Sequence, residues 1–217
     1  MKNLLNGCLL FACISGLATL PLAAQETENG LFTFSAGAGF TTPVYHAGTQ
    51  LDDGWNVDAR AGINLFAAHL GLVGDFQFND MGVNSTTLSN VGFPGGSTYI
   101  WDFSADPIIR FTPQSRLDFY LIGGPGIYHR TVDFTVPTVA TFTGFDPFLG
   151  VFYPVGVPAN IVVSSYSETR FGVNGGAGFD FGLTRGGRAK FFAEARYNVM
   201  FTGLRTAYVP VTFGFRW

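Results

Sequence analysis

The residues of this chain with the chemistry to act on something are three histidines and a set of regularly spaced charges. His46, His69 and His129 lie far apart in the sequence. Acid–base or nucleophilic catalysis needs a base, a nucleophile and an orienting group within hydrogen-bond reach. His46 and His129, with Asp52, Asp53, Asp133 and neighbouring Ser and Thr residues, supply those types only if folding gathers them at one rim. No two of the histidines form a recognised catalytic or metal-ligand spacing, so the expectation is no enzyme, no cofactor and no metal. Both cysteines, Cys8 and Cys13, fall in the N-terminal apolar run, which leaves the rest of the chain without a thiol, a disulfide or a cysteine metal site.

The charges follow a different rule, one of alternation. Lys190–Phe201 sets Phe191, Ala193, Ala195, Tyr197, Val199 and Phe201 against Lys190, Glu194, Arg196 and Asn198. Successive side chains of a strand point to opposite faces, so such a segment has one apolar and one polar face. The same pattern predicts strands at 31–40, 55–65, 69–79, 99–111, 117–130, 170–181 and 209–217. Within the eight segments the acids Asp58, Asp75, Asp102, Asp106, Asp118, Asp180 and Glu194 all take the polar face. So do the bases Arg60, Arg110, Arg130, Arg170, Lys190, Arg196 and Arg216.

Which face is outside follows from composition and export. Charged residues make up only 12% of the chain and aromatics 16%, whereas a water-soluble domain carries about a quarter charged residues to hydrate its exterior. Residues 1–24 read as a secretory signal peptide, with a positive start, an apolar run and a small-residue cleavage region, leaving 25–217 as one domain. A secreted β-sandwich would place its charges in water and close its apolar faces on each other. The aromatic excess favours the inverse: apolar face to lipid, polar face inward, and the sheet closed so that no backbone edge meets hydrocarbon. The net charge of −3 is spread along the chain and gives no surface for nucleic acid. Connections alternate long and short through most of the chain, as in an up-and-down outer-membrane barrel with short periplasmic turns and longer extracellular loops. The predicted fold is therefore all-β: an eight-stranded antiparallel transmembrane β-barrel.

On this pattern and on the ending Phe213, Phe215, Trp217, residues 31–217 resemble the small eight-stranded outer-membrane β-barrel proteins. That group includes the transmembrane domain of outer membrane protein A and the opacity-type adhesins. The resemblance implies that Phe213, Phe215 and Trp217 form the signal read by the barrel-assembly machinery. Pro210 stands where the family commonly has Gly, and the last residue is Trp where Phe is more frequent. The implied localisation is the outer membrane of a Gram-negative bacterium, with membrane lipid and lipopolysaccharide as surroundings.

An eight-stranded barrel is just wide enough for its own side chains. The fourteen facing charges are thus expected to pair as a buried ionic network that plugs the lumen, with a narrow channel for small or apolar solutes as the alternative. A lipid-modifying enzyme is the second alternative. Gly-rich stretches such as GVNGGAGFDFG and IGGPGIY lack the helix and Lys of a phosphate loop, and are read as places where strands bend or admit large neighbours. The 131–169 connection, with Phe142, Phe145, Phe148, Phe152 and Tyr153, is more apolar than solvation requires. It is the expected contact surface for an extracellular partner, either as a protruding hairpin or folded over the barrel mouth.

Overall fold

The computed structural model describes residues 31–183, 189–203 and 205–217; residues 1–24, read from sequence as a signal peptide, lie outside the described residues, as does most of the 183–187 turn. Eight antiparallel strands follow one another around a closed barrel. They are β1 (Phe32–Val44), β2 (Leu51–Leu65), β3 (Leu70–Val83), β4 (Gly95–Arg110), β5 (Leu117–Asp146), β6 (Val151–Gly182), β7 (Lys190–Met200) and β8 (Thr206–Arg216). Closure is made by β1 against β8, and Phe34 and Trp217 exchange both backbone bonds at 2.9 Å. Closure leaves the sheet without a free edge, which hydrocarbon demands.

Side-chain burial is inverted relative to a water-soluble protein. Phe34, Trp55, Phe103, Phe119, Phe171 and Phe215 are exposed on the outer wall, while Asn56, Asp75, Gln77, Asp106 and Asp180 are almost wholly buried inside. Aromatic rings cluster near the long-loop end of the wall: Trp55 packs on Phe78 at 5.6 Å, Phe78 on Tyr99 at 6.1 Å, and Trp101 on His129 at 4.9 Å. A second group, including Phe191 against Phe215, lies near the short-turn end. Two such girdles mark the interfaces of a membrane-spanning barrel.

Glycines on the inner face make room for the largest lumen residues. A Cβ at Gly178 would stand 2.6 Å from the Tyr120 ring, and one at Gly214 would stand 2.7 Å from Phe192. Both aromatics are essentially inaccessible to solvent.

β5 and β6 run far beyond their neighbours. β4 pairs with β5 only up to Gly95 opposite Thr135, and β7 with β6 only up to Met200 opposite Gly172. Above those rungs β5 and β6 pair only with each other, to Asp146 opposite Val151. The 131–169 connection is thus a two-stranded ribbon rather than a cover folded over the mouth. Its sequence hid this because the alternation changes hand: Phe134 pairs with Ser164 but Thr135 with Val162, so Val163 is an extra residue that shifts the face of everything after it.

Candidate functional site: the lumen and the projecting hairpin

The lumen is filled in layers. At its centre Arg60 on β2 contacts three carboxylates: Asp58, Asp75 at 3.3 Å and Glu194 at 2.9 Å. Arg196 on β7 continues the network to Glu194, to Asp75 at 2.7 Å and to Asp106 at 2.7 Å. Tyr120 donates to Glu194 at 2.8 Å, and Ser104 to Asp106 at 2.8 Å. The Arg60 side chain is 1% exposed. At so little exposure ionic groups survive only when paired and hydrogen-bonded on most sides. Arg60 also lies over the Phe192 ring, 5.0 Å from its centroid.

Toward the short-turn end, Arg216 pairs with Asp180 at 2.7 Å and lies over Tyr120. Arg110 donates to Asn64 at 3.1 Å, and Asp118 accepts from the Thr112 backbone N–H at 2.8 Å. Lys190 is half-buried there and donates to the Pro113 carbonyl at 3.4 Å. Asp102 accepts from the Tyr208 hydroxyl at 3.1 Å and, among the described residues, has no cation in its salt-bridge range. An amide and hydroxyl layer, with Thr41 bonded to Asn79 at 2.7 Å and Thr212 to Asn56 at 2.9 Å, fills the space above Arg60.

One of the predicted lumen charges, Arg170, is corrected: its side chain is 54% exposed at the outer rim, where it contacts Glu168. Arg130 also pairs with Glu168, but it stays on the lumen side, 22% exposed, and donates to Thr206 of β8 at 2.9 Å. They share the parity of the lumen residues, but β7 ends below Arg170, so that position has no barrel wall on one side. Glu168, the acid between them, was placed in a loop by the sequence pattern.

The lumen also has an apolar filling, of which the sequence pattern put Val73, Tyr120 and Tyr128 on the inward row but not the rest. Met81, Ile100, Tyr128, Met200 and Tyr208 form one buried cluster, and Val73, Ile108, Tyr120 and Ile122 form another. Together with Phe192 they divide the polar layers. Parity was the available signal: Phe192 is two residues from Glu194, and Ile108 two from Asp106.

The histidines keep separate company. His46 lies in the short helical turn Tyr45–Gly48, with its Nε2 3.3 Å from the Gln50 amide nitrogen. His69 Nδ1 donates to the Arg110 carbonyl at 3.1 Å. His129 stacks on Trp101, and its ring nitrogens meet Thr169 at 2.8 Å and Thr131 at 3.4 Å. Asp52 accepts instead from Asn84, and Asp133 from Ser165. Among the described residues no group of three or more His, Cys, Asp or Glu is placed to hold a metal.

The hairpin exposes the five aromatics named from sequence, with Phe148 at its tip 96% accessible. They are divided between two faces. Counting from the ladder, Phe142 shares a face with Val136, Ala140, Tyr153, Val155, Val157 and Ile161, the face continuous with the lumen side of β5. Phe145 and Phe152 pair on the other face at 5.0 Å, among Thr135, Pro137, Thr141, Thr143 and Asn160.

A family model described as the outer membrane protein beta-barrel domain matches residues 9–216. Among solved structures, the chain is similar to neisserial surface protein A, at 16% identity over 86% of this chain and 96% of that one, with a TM-score of 0.57. It is also similar to OprG from Pseudomonas aeruginosa, at 12% identity over 88% and 99%, TM-score 0.49. A third is Ail, the attachment invasion locus protein of Yersinia pestis, at 15% identity over 86% and 97%, TM-score 0.46. No curated protein matches the chain.

Proposed function

The chain belongs to the outer membrane protein β-barrel domain family, and on that premise we propose that it is a sealed integral outer-membrane barrel whose working surface is the β5–β6 hairpin. The observation that carries this reading is the change of hand at Val163. Across the membrane-spanning rungs the outer face of β5 and β6 is apolar, with Phe119, Leu121, Ile127, Phe171 and Phe179; it turns polar at Thr131, Asp133, Ser165 and Ser167, and above the bulge Val155, Val157 and Ile161 of β6 join Val136, Ala140 and Phe142 of β5 on the inner side. A ribbon that stands in water yet keeps a continuous apolar face is built for contact.

Charge narrows the partner. From residue 134 to 165 the sequence has no Lys or Arg and a single acid, Asp146. Anionic partners such as lipopolysaccharide phosphates are bound by cations, so the hairpin suits an uncharged apolar surface. Lipopolysaccharide and membrane lipid are left to the barrel wall. Phe213, Phe215 and Trp217 face outward on that wall, where the assembly machinery would read them. Pro137, Pro154 and Pro158 lack N–H groups and blunt the ribbon edges against strand addition, which leaves face-on contact.

Two measurements test the two halves of the reading. Purified protein in planar bilayers is expected to give no steady conductance, and a stable ohmic step would refute the sealed lumen. Cells displaying the protein are expected to be retained on polystyrene beads, and replacing residues 138–160 by a short Gly-Ser turn should abolish retention. Equal retention without the hairpin would refute the contact role.

A further inference from the structure

We propose that the outer wall of β4, β5 and β6 carries a site for the sugar of a glycolipid, held in the leaflet on the long-loop side. Four successive outward rungs build it. The lowest is apolar: Phe103 stands opposite Ile127 and Ile127 opposite Phe171, and all three side chains are exposed. Next come Trp101, His129 and Thr169, with the Trp101 and His129 rings stacked at 4.9 Å. Above them stand Tyr99, Thr131 and Ser167, and then Ser97, Asp133 and Ser165. Within four rungs one continuous face passes from lipid-facing rings, through the aromatic girdle that marks the interface, to hydroxyls and a carboxylate. A lipid whose chains lie on the lowest rung holds its headgroup against the upper two.

The hydrogen bonds within the patch leave both kinds of bonding open to a headgroup. Ser97 donates to the Tyr99 hydroxyl at 2.9 Å, which leaves the Tyr99 proton for an outside acceptor. Thr131 and Ser167 share one bond at 2.9 Å, and a hydroxyl oxygen has two lone pairs, so the pair can still accept. Asp133 accepts from Ser165 through Oδ1 and keeps Oδ2 for a second donor. A donor and several acceptors on neighbouring strands, above an aromatic face, match a sugar ring, whose hydroxyls each donate and accept. A phosphate has acceptors alone and is repelled by Asp133. Arginine does not offset that repulsion, because Arg130 and Arg170 have the inward parity and pair with Glu168. The patch lies outside residues 138–160, so a chain lacking the hairpin tip keeps it.

The probes are monoglucosyl diacylglycerol, diacylglycerol and phosphatidic acid, which share their acyl chains and differ in headgroup. Each would be titrated into phosphatidylcholine nanodiscs holding the protein, read by NMR shifts of the Thr131 and Thr169 methyl groups. The glucosyl lipid is expected to shift both methyls saturably and to bind about tenfold more tightly than phosphatidic acid, the margin that two neutral hydrogen bonds give. Diacylglycerol and soluble methyl glucoside should give no saturable shift. Tyr99→Phe combined with Ser167→Ala, both on the outer wall and away from the lumen, should remove that margin. Asp133→Lys should reverse the order in favour of phosphatidic acid, and replacing residues 138–160 should change neither affinity. Equal binding of the glucosyl lipid and phosphatidic acid by the wild type, a margin that survives Tyr99→Phe with Ser167→Ala, methyl glucoside matching the glycolipid, or no methyl shift at all would each overturn the site.

Discussion

Replacing Arg60 by Met gives the sharpest test of the buried network, because it removes the charge while keeping an unbranched chain against Phe192. The loss falls unevenly. Glu194 keeps Arg196 and the Tyr120 hydroxyl, and Asp75 keeps Arg196 at 2.7 Å. Asp58 keeps little: its Oδ2 loses Arg60, and its Oδ1 already has no partner. Stranding one buried carboxylate costs about 3–5 kcal/mol. With a urea dependence of about 2 kcal/mol per molar, the unfolding midpoint in lipid vesicles should fall by roughly 1.5–2.5 M. Asp58→Asn in the Arg60→Met background removes the stranded charge and should recover at least half of that fall. The assay is tryptophan fluorescence against urea, paired with the heat-dependent gel shift of the folded barrel. A midpoint change of less than about 0.5 M for Arg60→Met, or no recovery on adding Asp58→Asn, would refute the claim that the network is paired group by group.

The rim arginine should behave oppositely: Arg170→Ala, with a side chain 54% exposed, is expected to change stability by less than about 1 kcal/mol in the same titration. Gly178→Val would drive its side chain into Tyr120, whose ring atoms stand 2.6 Å from a Cβ there. It should cost about 1–3 kcal/mol, partly restored by Tyr120→Leu in the same chain. Replacing residues 138–160 by a short turn should leave the unfolding free energy of the barrel within about 0.5 kcal/mol of the original, because the ribbon pairs with no other strand above Thr135.

The two families of residue were unequally legible. Asp58, Arg60, Asp75, Asp106, Glu194 and Arg196 were assignable to one interior because parity along a strand is a local property. The same rule applied to Phe192 or Ile108 would have placed them inside too, but an apolar residue on a polar row gives no contrast with its row. The hairpin was legible as apolar and long, with a protruding ribbon and a cover over the mouth left equally open. One extra residue at Val163 inverts the alternation, so no single period runs through it.

Alternation, scarcity of charge and loop lengths in the linear chain were enough to require strands with one face for lipid and one for an interior, since side-chain direction depends only on neighbours in the chain. Which acid meets which arginine is a different kind of fact. Arg60 and Glu194 come from strands that share no rung, and they meet only because closure of β1 on β8 folds the sheet round a common axis. The rim position of Arg170 likewise depends on where its neighbour β7 stops, and the gap in the β4–β5 pairing on Pro107 and Pro125 falling on facing strands within the same three rungs. Those outcomes belong to pairing and closure, which act between segments and leave no periodic trace within any one of them.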